Sequence, residues 1–190
     1  MAFFKKYSYI IVKLFLNQFA ISLFGIGLAF ACSYSGNNSL LLITSIFSVV
    51  FYLFLEYAIM WEVGAKDGIT ATSRHTSRGL WRGLVMSICA NAINIISALL
   101  VFSKVFTGAE NQVSAIGQFI AMILQGMFQG ILSQKVGAAQ LNDFWWIYFL
   151  IILPAVLVTS LAYVLGNYNL HATNILIQKN KDVKNNGRPK

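Results

Sequence analysis

The sequence predicts an all-α, polytopic helical membrane protein with four firm transmembrane helices and a fifth membrane-embedded one. Three observations predict it. The 190 residues are 57% hydrophobic and only 11% charged, whereas soluble domains carry roughly 25% charged residues. Four apolar runs reach the ~20 residues that a spanning helix needs. Trp61, Trp81, Trp145 and Trp146 all fall at the ends of those runs, where amphipathic rings sit at the headgroup level.

The first run, 10–32, reads "IIVKLFLNQFAISLFGIGLAFAC". Lys5, Lys6 and "AFA" before Cys32 give it the outline of a signal peptide or lipoprotein site. It is long for one, and Asn17 with Gln18 interrupts its centre, so it is expected to remain as a span. The second run is 40–61, "LLLITSIFSVVFYLFLEYAIMW". The stretch 62–82, "EVGAKDGITATSRHTSRGLWR", holds six of the twenty charged residues and reads as a cytoplasmic loop. Gly64, Gly68 and Gly79 mark turns in it. "TATS" caps a short helix that places Arg74, Arg78 and Arg82 on one face, for orientation and for contact with anionic headgroups or an acidic partner. The third run is 83–103, and the last, 144–166, contains Pro154, where a kink is expected. Residues 1–166 thus form one helical domain, and 167–190 a basic, flexible cytoplasmic tail.

The stretch 114–133, "SAIGQFIAMILQGMFQGILS", is long enough to span but holds three Gln and three Gly. Charge decides its reading. With four spans and the N-terminus inside, twelve Lys and Arg lie inside and two, Lys104 and Lys135, outside. With five spans the count is eight against six. The positive-inside rule favours four, with both termini cytoplasmic and 114–133 re-entrant or interfacial. Abundant Ile, Asn, Lys, Phe and Tyr suggest an AT-rich bacterial gene and so a bacterial cell membrane. The net charge of +8 is directed at lipid headgroups, not nucleic acid, because the basic residues flank apolar runs.

"WEVGAKD" (61–67) after the second span and "YVLG" (163–166) at the end of the last, with a basic tail beyond, resemble a group of small bacterial integral membrane proteins of unassigned activity. That resemblance implies a helical membrane fold and a basic cytoplasmic tail. It implies no activity and no site residues.

Polar residues at membrane depth are the candidate functional residues, because they are costly there. Glu56 is the only carboxylate inside a run. It shares a face with Ser45, Ser48 and Tyr52, and Lys13 enters from the same side at similar depth. An ion pair Glu56–Lys13 is expected, with Asn17 or Asn91 completing its hydrogen bonds; a proton or cation site is the alternative. In the third run Gly79, Gly83, Ser87, Asn91, Asn94 and Ala98 form a small and polar stripe for close helix packing. Gln118, Gln125 and Gln129 fall within about 40° of one another on a helix, beside Gly126 and Gly130, and that face must meet protein or water.

No catalytic set or cofactor motif appears. The two His lie outside the runs, and Cys32 with Cys89 makes no CxxC pair. The expected function is therefore a non-enzymatic accessory or interaction subunit of a membrane assembly, working with a membrane-protein partner or a second copy. The alternative is a small oligomeric transporter or channel subunit using Glu56 and the Asn and Gln stripes.

Overall fold

The computed structural model describes residues 2–34, 36, 38–107, 111–137 and 139–170. The rest of the basic tail, 171–190, lies outside the described residues. Among them the regular structure is helical, apart from one pair of two-residue strands. Three helices are long and apolar enough to cross a membrane, or up to five if each of two bent pairs is counted as one crossing.

Helices α1 (Ala2–Tyr34) and α2 (Asn38–Ser73) form a long antiparallel hairpin. At 1.5 Å per residue, the 36 residues of α2 reach about 54 Å, well beyond a ~30 Å hydrocarbon core. The expected loop 62–82 is therefore corrected. Residues 62–73 continue α2, and "TATS" is its last turn, not the cap of a new helix. The reason is tertiary. Gly64 and Gly68, weak helix formers alone, are buried against α9 (Leu153–Asn167). A Cβ at Gly64 would strike the Tyr163 carbonyl, one at Gly68 the Asn167 carbonyl, and one at Gly166 the Trp61 carbonyl. These glycines permit backbone contact and make no turn. The true connection is 74–80, so Arg74, Arg78 and Arg82 do not share a helix face.

The third run is a bent pair, α3 (Trp81–Ala90) and α4 (Ala92–Phe102), with a 60° bend at Asn91. The Ser87 carbonyl receives both the Asn91 backbone N–H and its Nδ2, each at 3.0 Å. A side-chain bond back to residue i−4 is a known cause of helix bending. After α5 (Lys104–Thr107), helix α6 (Gln112–Leu124) packs back along α4, with Gly117 against Ser97, Leu100 and Val101.

The stretch 114–133 is not one helix. At Gln125 the chain bends by 86° into a 3-10 turn, Gly126–Phe128, and α7 (Gln129–Leu132). It enters beside α4, where Ser103 Oγ donates to Asn111 Oδ1 at 3.3 Å. It returns to the same end through a hairpin of β1 (Lys135–Val136) and β2 (Ala139–Gln140), where Lys104 Nζ donates to the Asp143 carbonyl at 2.5 Å. The last run is α8 (Ile147–Leu150) followed by α9, interrupted at Ile151–Ile152. Pro154 lies in the first turn of α9, and its missing N–H leaves the Leu150 carbonyl without the usual partner. Tyr7, Leu14, Met60, Met86, Ala162 and Tyr163 form the core at the basic end. Tyr52, Met127, Phe128, Leu132 and Tyr148 belong to a second core around the turned-back segment. Large apolar side chains such as Phe24, Phe47, Phe54, Leu99, Phe119 and Leu157 face outward.

Candidate functional site: a buried carboxylate where four helices end

The close packing of α2 on α9 brings Asp67 to a point that α1, α3 and α9 also reach. Asp67 Oδ1 accepts from Lys6 Nζ at 2.7 Å. Its Oδ2 accepts from Tyr7 Oη at 2.6 Å and from Tyr163 Oη at 2.8 Å. Tyr7 Oη in turn accepts from Lys6 Nζ at 2.8 Å and from Arg82 Nη1 at 3.4 Å. Gly83 makes room for the Tyr163 ring, since a Cβ there would overlap the ring atoms. Asp67 is 8% exposed, Tyr7 3% and Tyr163 0%. A carboxylate surrounded by three donors is held as the anion. It ties α2 to α1 and α9 with charge-assisted bonds, and Arg82 of α3 joins through Tyr7. Sequence reading misses this centre, because a charge after an apolar run reads as loop. The available signal is "GAKDG" (64–68): two glycines four apart mark a helix contact face, and an acid beside them is carried into it.

Glu56 is buried, and its Oε1 accepts from Asn17 Nδ2 at 2.9 Å. The pairing with Lys13 is not made. With Lys6 and Tyr7 level with Asp67, and Asn17 level with Glu56, antiparallel register sets residue 13 level with Met60. That is about 6 Å from Glu56 along the helix. Lys13 is exposed. Asn91 does not serve Glu56 either. It bonds to the Ser87 carbonyl, and its Oδ1 accepts from Asn94 Nδ2 at 3.0 Å. Gly83, Ser87, Asn91, Asn94 and Ala98 are all buried, and the Ser87 and Thr159 hydroxyls meet at 2.5 Å. Gly79 lies outside the helix.

The bend at Gln125 breaks up the Gln row. Gln125 is buried, whereas Gln118 and Gln129 line a cleft of about 280 Å³ with Phe119, Asn142 and Tyr148. The bend frees backbone groups, and side chains of α1 and α2 meet them. Gln18 Nε2 donates to the Leu124 carbonyl at 3.3 Å and Ser22 Oγ to the Ile123 carbonyl at 2.5 Å. The Gly126 N–H donates to Ser22 Oγ at 2.7 Å, and Ser45 Oγ donates to the Met127 carbonyl at 2.6 Å. Backbone groups freed inside an apolar bundle need such partners. Gly126 and Gly130 do not act as one helix face. Gly126 lies against Ile26 of α1, and Gly130 against Leu41 and Ser45 of α2.

Of the three arginines, Arg74 is exposed and Arg82 reaches Tyr7. The Arg78 guanidinium lies 4.7 Å from the Tyr168 ring centre. The two acids of 62–82 pair with lysines and not with these arginines: Lys66 with Glu62 at 2.6 Å and Lys6 with Asp67. Among the described residues, no three His, Cys, Asp or Glu side chains gather as metal ligands would. Compared with models of protein families, with curated proteins and with solved structures, the chain has no significant match.

Proposed function

We propose that the chain is a four-crossing membrane protein of a bacterial cell membrane, with both ends cytoplasmic, that acts without catalysis as an interaction subunit of a membrane assembly. One observation carries the reading: Asn17 and Glu56 are committed to each other, and Gln18, Ser22 and Ser45 to the freed backbone of 123–127. Such commitment builds a scaffold and leaves the outward apolar faces for lipid and for a partner. Four crossings are supported by the return of 112–143 to the end at which it enters, and by the meeting of Lys6, Asp67, Arg82 and Tyr163 at the other.

Orientation is tested by single cysteines in a chain with Cys32 and Cys89 replaced by alanine. Val136→Cys, exposed at the hairpin, should react with an impermeant maleimide in intact cells. Thr76→Cys, exposed at the basic end, should react only after permeabilisation. Reaction of both in intact cells would contradict the four-crossing orientation.

The transporter or channel reading is favoured by one feature, the cleft of Gln118 and Gln129 with buried Glu56 deeper in the bundle. Proteoliposomes holding the purified chain should pass protons and monovalent cations no faster than empty liposomes. A flux that Glu56→Gln abolishes would replace the scaffold by a conduit.

A further inference from the structure

The cleft of about 280 Å³ between α6, α7 and the start of α8 is lined, among the described residues, by uncharged side chains only. Ala115, Gln118 and Met122 share one face of α6. Gln129 comes from α7 and Tyr148 from α8. Gln118 and Gln129 are half-buried, and neither side chain makes a hydrogen bond among the described residues. Each amide keeps two N–H donors and a carbonyl acceptor for whatever enters. Two open amides inside an apolar bundle are costly unless something meets them.

The second observation is depth. Gln118 follows Gln112, the start of α6 at the hairpin end, by about 9 Å along the helix axis. A headgroup layer is about 5–8 Å thick on each side of the hydrocarbon. Gln118 thus stands where headgroups give way to acyl chains. The third observation is continuity. Met122 and Gln129 also line a groove of about 110 Å³, and Ile26, Ala29 and Phe30 of α1 form the apolar part of its far wall. A polar cleft and an apolar groove therefore meet at the same two side chains.

We propose that the cleft binds a lipid with an uncharged headgroup rich in hydroxyls, of the glycosyl diacylglycerol type. Sugar hydroxyls donate to the two amide carbonyls and accept from the amide N–H groups. The exposed Phe119 ring covers the C–H face of the sugar, and one acyl chain follows the groove along α1. The cleft has the liquid volume of about nine waters, room for one sugar ring. A phosphate headgroup finds no cation in this lining and an ammonium no carboxylate. Plain diacylglycerol brings a single hydroxyl to two amides. The site rests on the proposed reading that the hairpin end of the bundle lies at headgroup level.

The test is lipid retention by the purified full chain in a neutral detergent, read by native mass spectrometry. Monoglucosyl diacylglycerol, phosphatidylglycerol and diacylglycerol with the same acyl chains are offered at equal concentration. The glucosyl lipid should be retained above both others. The double variant Gln118→Leu/Gln129→Leu should lower its retention about tenfold, the loss of two neutral hydrogen bonds. Gln112→Leu, exposed on α6 and outside the cleft, should leave it unchanged, and methyl glucoside at the same concentration should not displace it. Thermal unfolding shows whether the double variant is folded. If it is not, Phe119→Ala, a change at an exposed side chain, decides in its place and should lower retention several-fold. Equal retention of the three lipids, preference for either other lipid, insensitivity to these variants, displacement by the glucoside or a lipid-free dimer would each overturn the site. Alkaline carbonate extraction of cell membranes separates the two readings. A chain released by carbonate overturns membrane embedding itself, and a chain that stays but retains no glucosyl lipid overturns only the cleft.

Discussion

Asp67→Ala lowers the stability of the purified chain by about 3 kcal/mol, the loss expected when a buried charged partner is removed from its network. Two buried hydroxyls, of Tyr7 and Tyr163, lose their acceptor at once, and each stranded group costs roughly 1–3 kcal/mol. The lysine contributes far less. Lys6 is 52% exposed, so solvent screens its attraction, and Lys6→Met costs under about 1 kcal/mol. Asp67→Asn falls between, because the amide still accepts on one side but presents a donor to the other. Unfolding in mixed micelles, followed by circular dichroism against denaturant, ranks the three variants. If Asp67→Ala lost no more than Lys6→Met, the tyrosines would not depend on the carboxylate, and the four helix ends would be held by packing alone.

The second large effect is at the α2–α9 contact. Glycine to alanine inside a helix normally gains up to about 1 kcal/mol. Gly64→Ala and Gly166→Ala should lose stability in spite of that gain, because each new methyl meets backbone of the opposing helix. Backbone cannot rotate aside as a side chain can, so the helices must separate, at about 1–3 kcal/mol for overpacking. Gly27→Ala is the control, since nothing lies within 4 Å of the added carbon. It should be neutral or slightly stabilising. Both helices share the contact, so the double variant should cost less than the two single losses added together. Thermal unfolding in detergent, in which Gly64→Ala matched Gly27→Ala, would show that the helices are farther apart than described.

The long apolar helices are legible in the sequence because their length and hydrophobicity show whatever the neighbours are. The limits of the runs are not. Residues 62–73 carry loop-like composition, yet they are helical because Gly64 and Gly68 find Tyr163 and Asn167, about a hundred residues away. Lys13 and Glu56 stand at similar depth by counting from the run ends, but register is set at Asp67 and Asn17, and that shifts the pair apart by one turn. The Gln row assumes an unbroken helix, which the bend at Gln125 removes. The burial of the stripe from Gly83 to Ala98 is legible, because small and polar residues at such spacing suit contact with another helix, whereas Gly79 falls in the connection before it.

The turned-back segment also sets an order of construction. An unmet carbonyl or N–H in hydrocarbon costs several kcal/mol, and the groups freed at 123–127 find their partners on Gln18, Ser22 and Ser45. All three belong to the α1–α2 hairpin, which leaves the ribosome first. That hairpin is a template, and the segment 112–132 takes its bent path only once the template is in place.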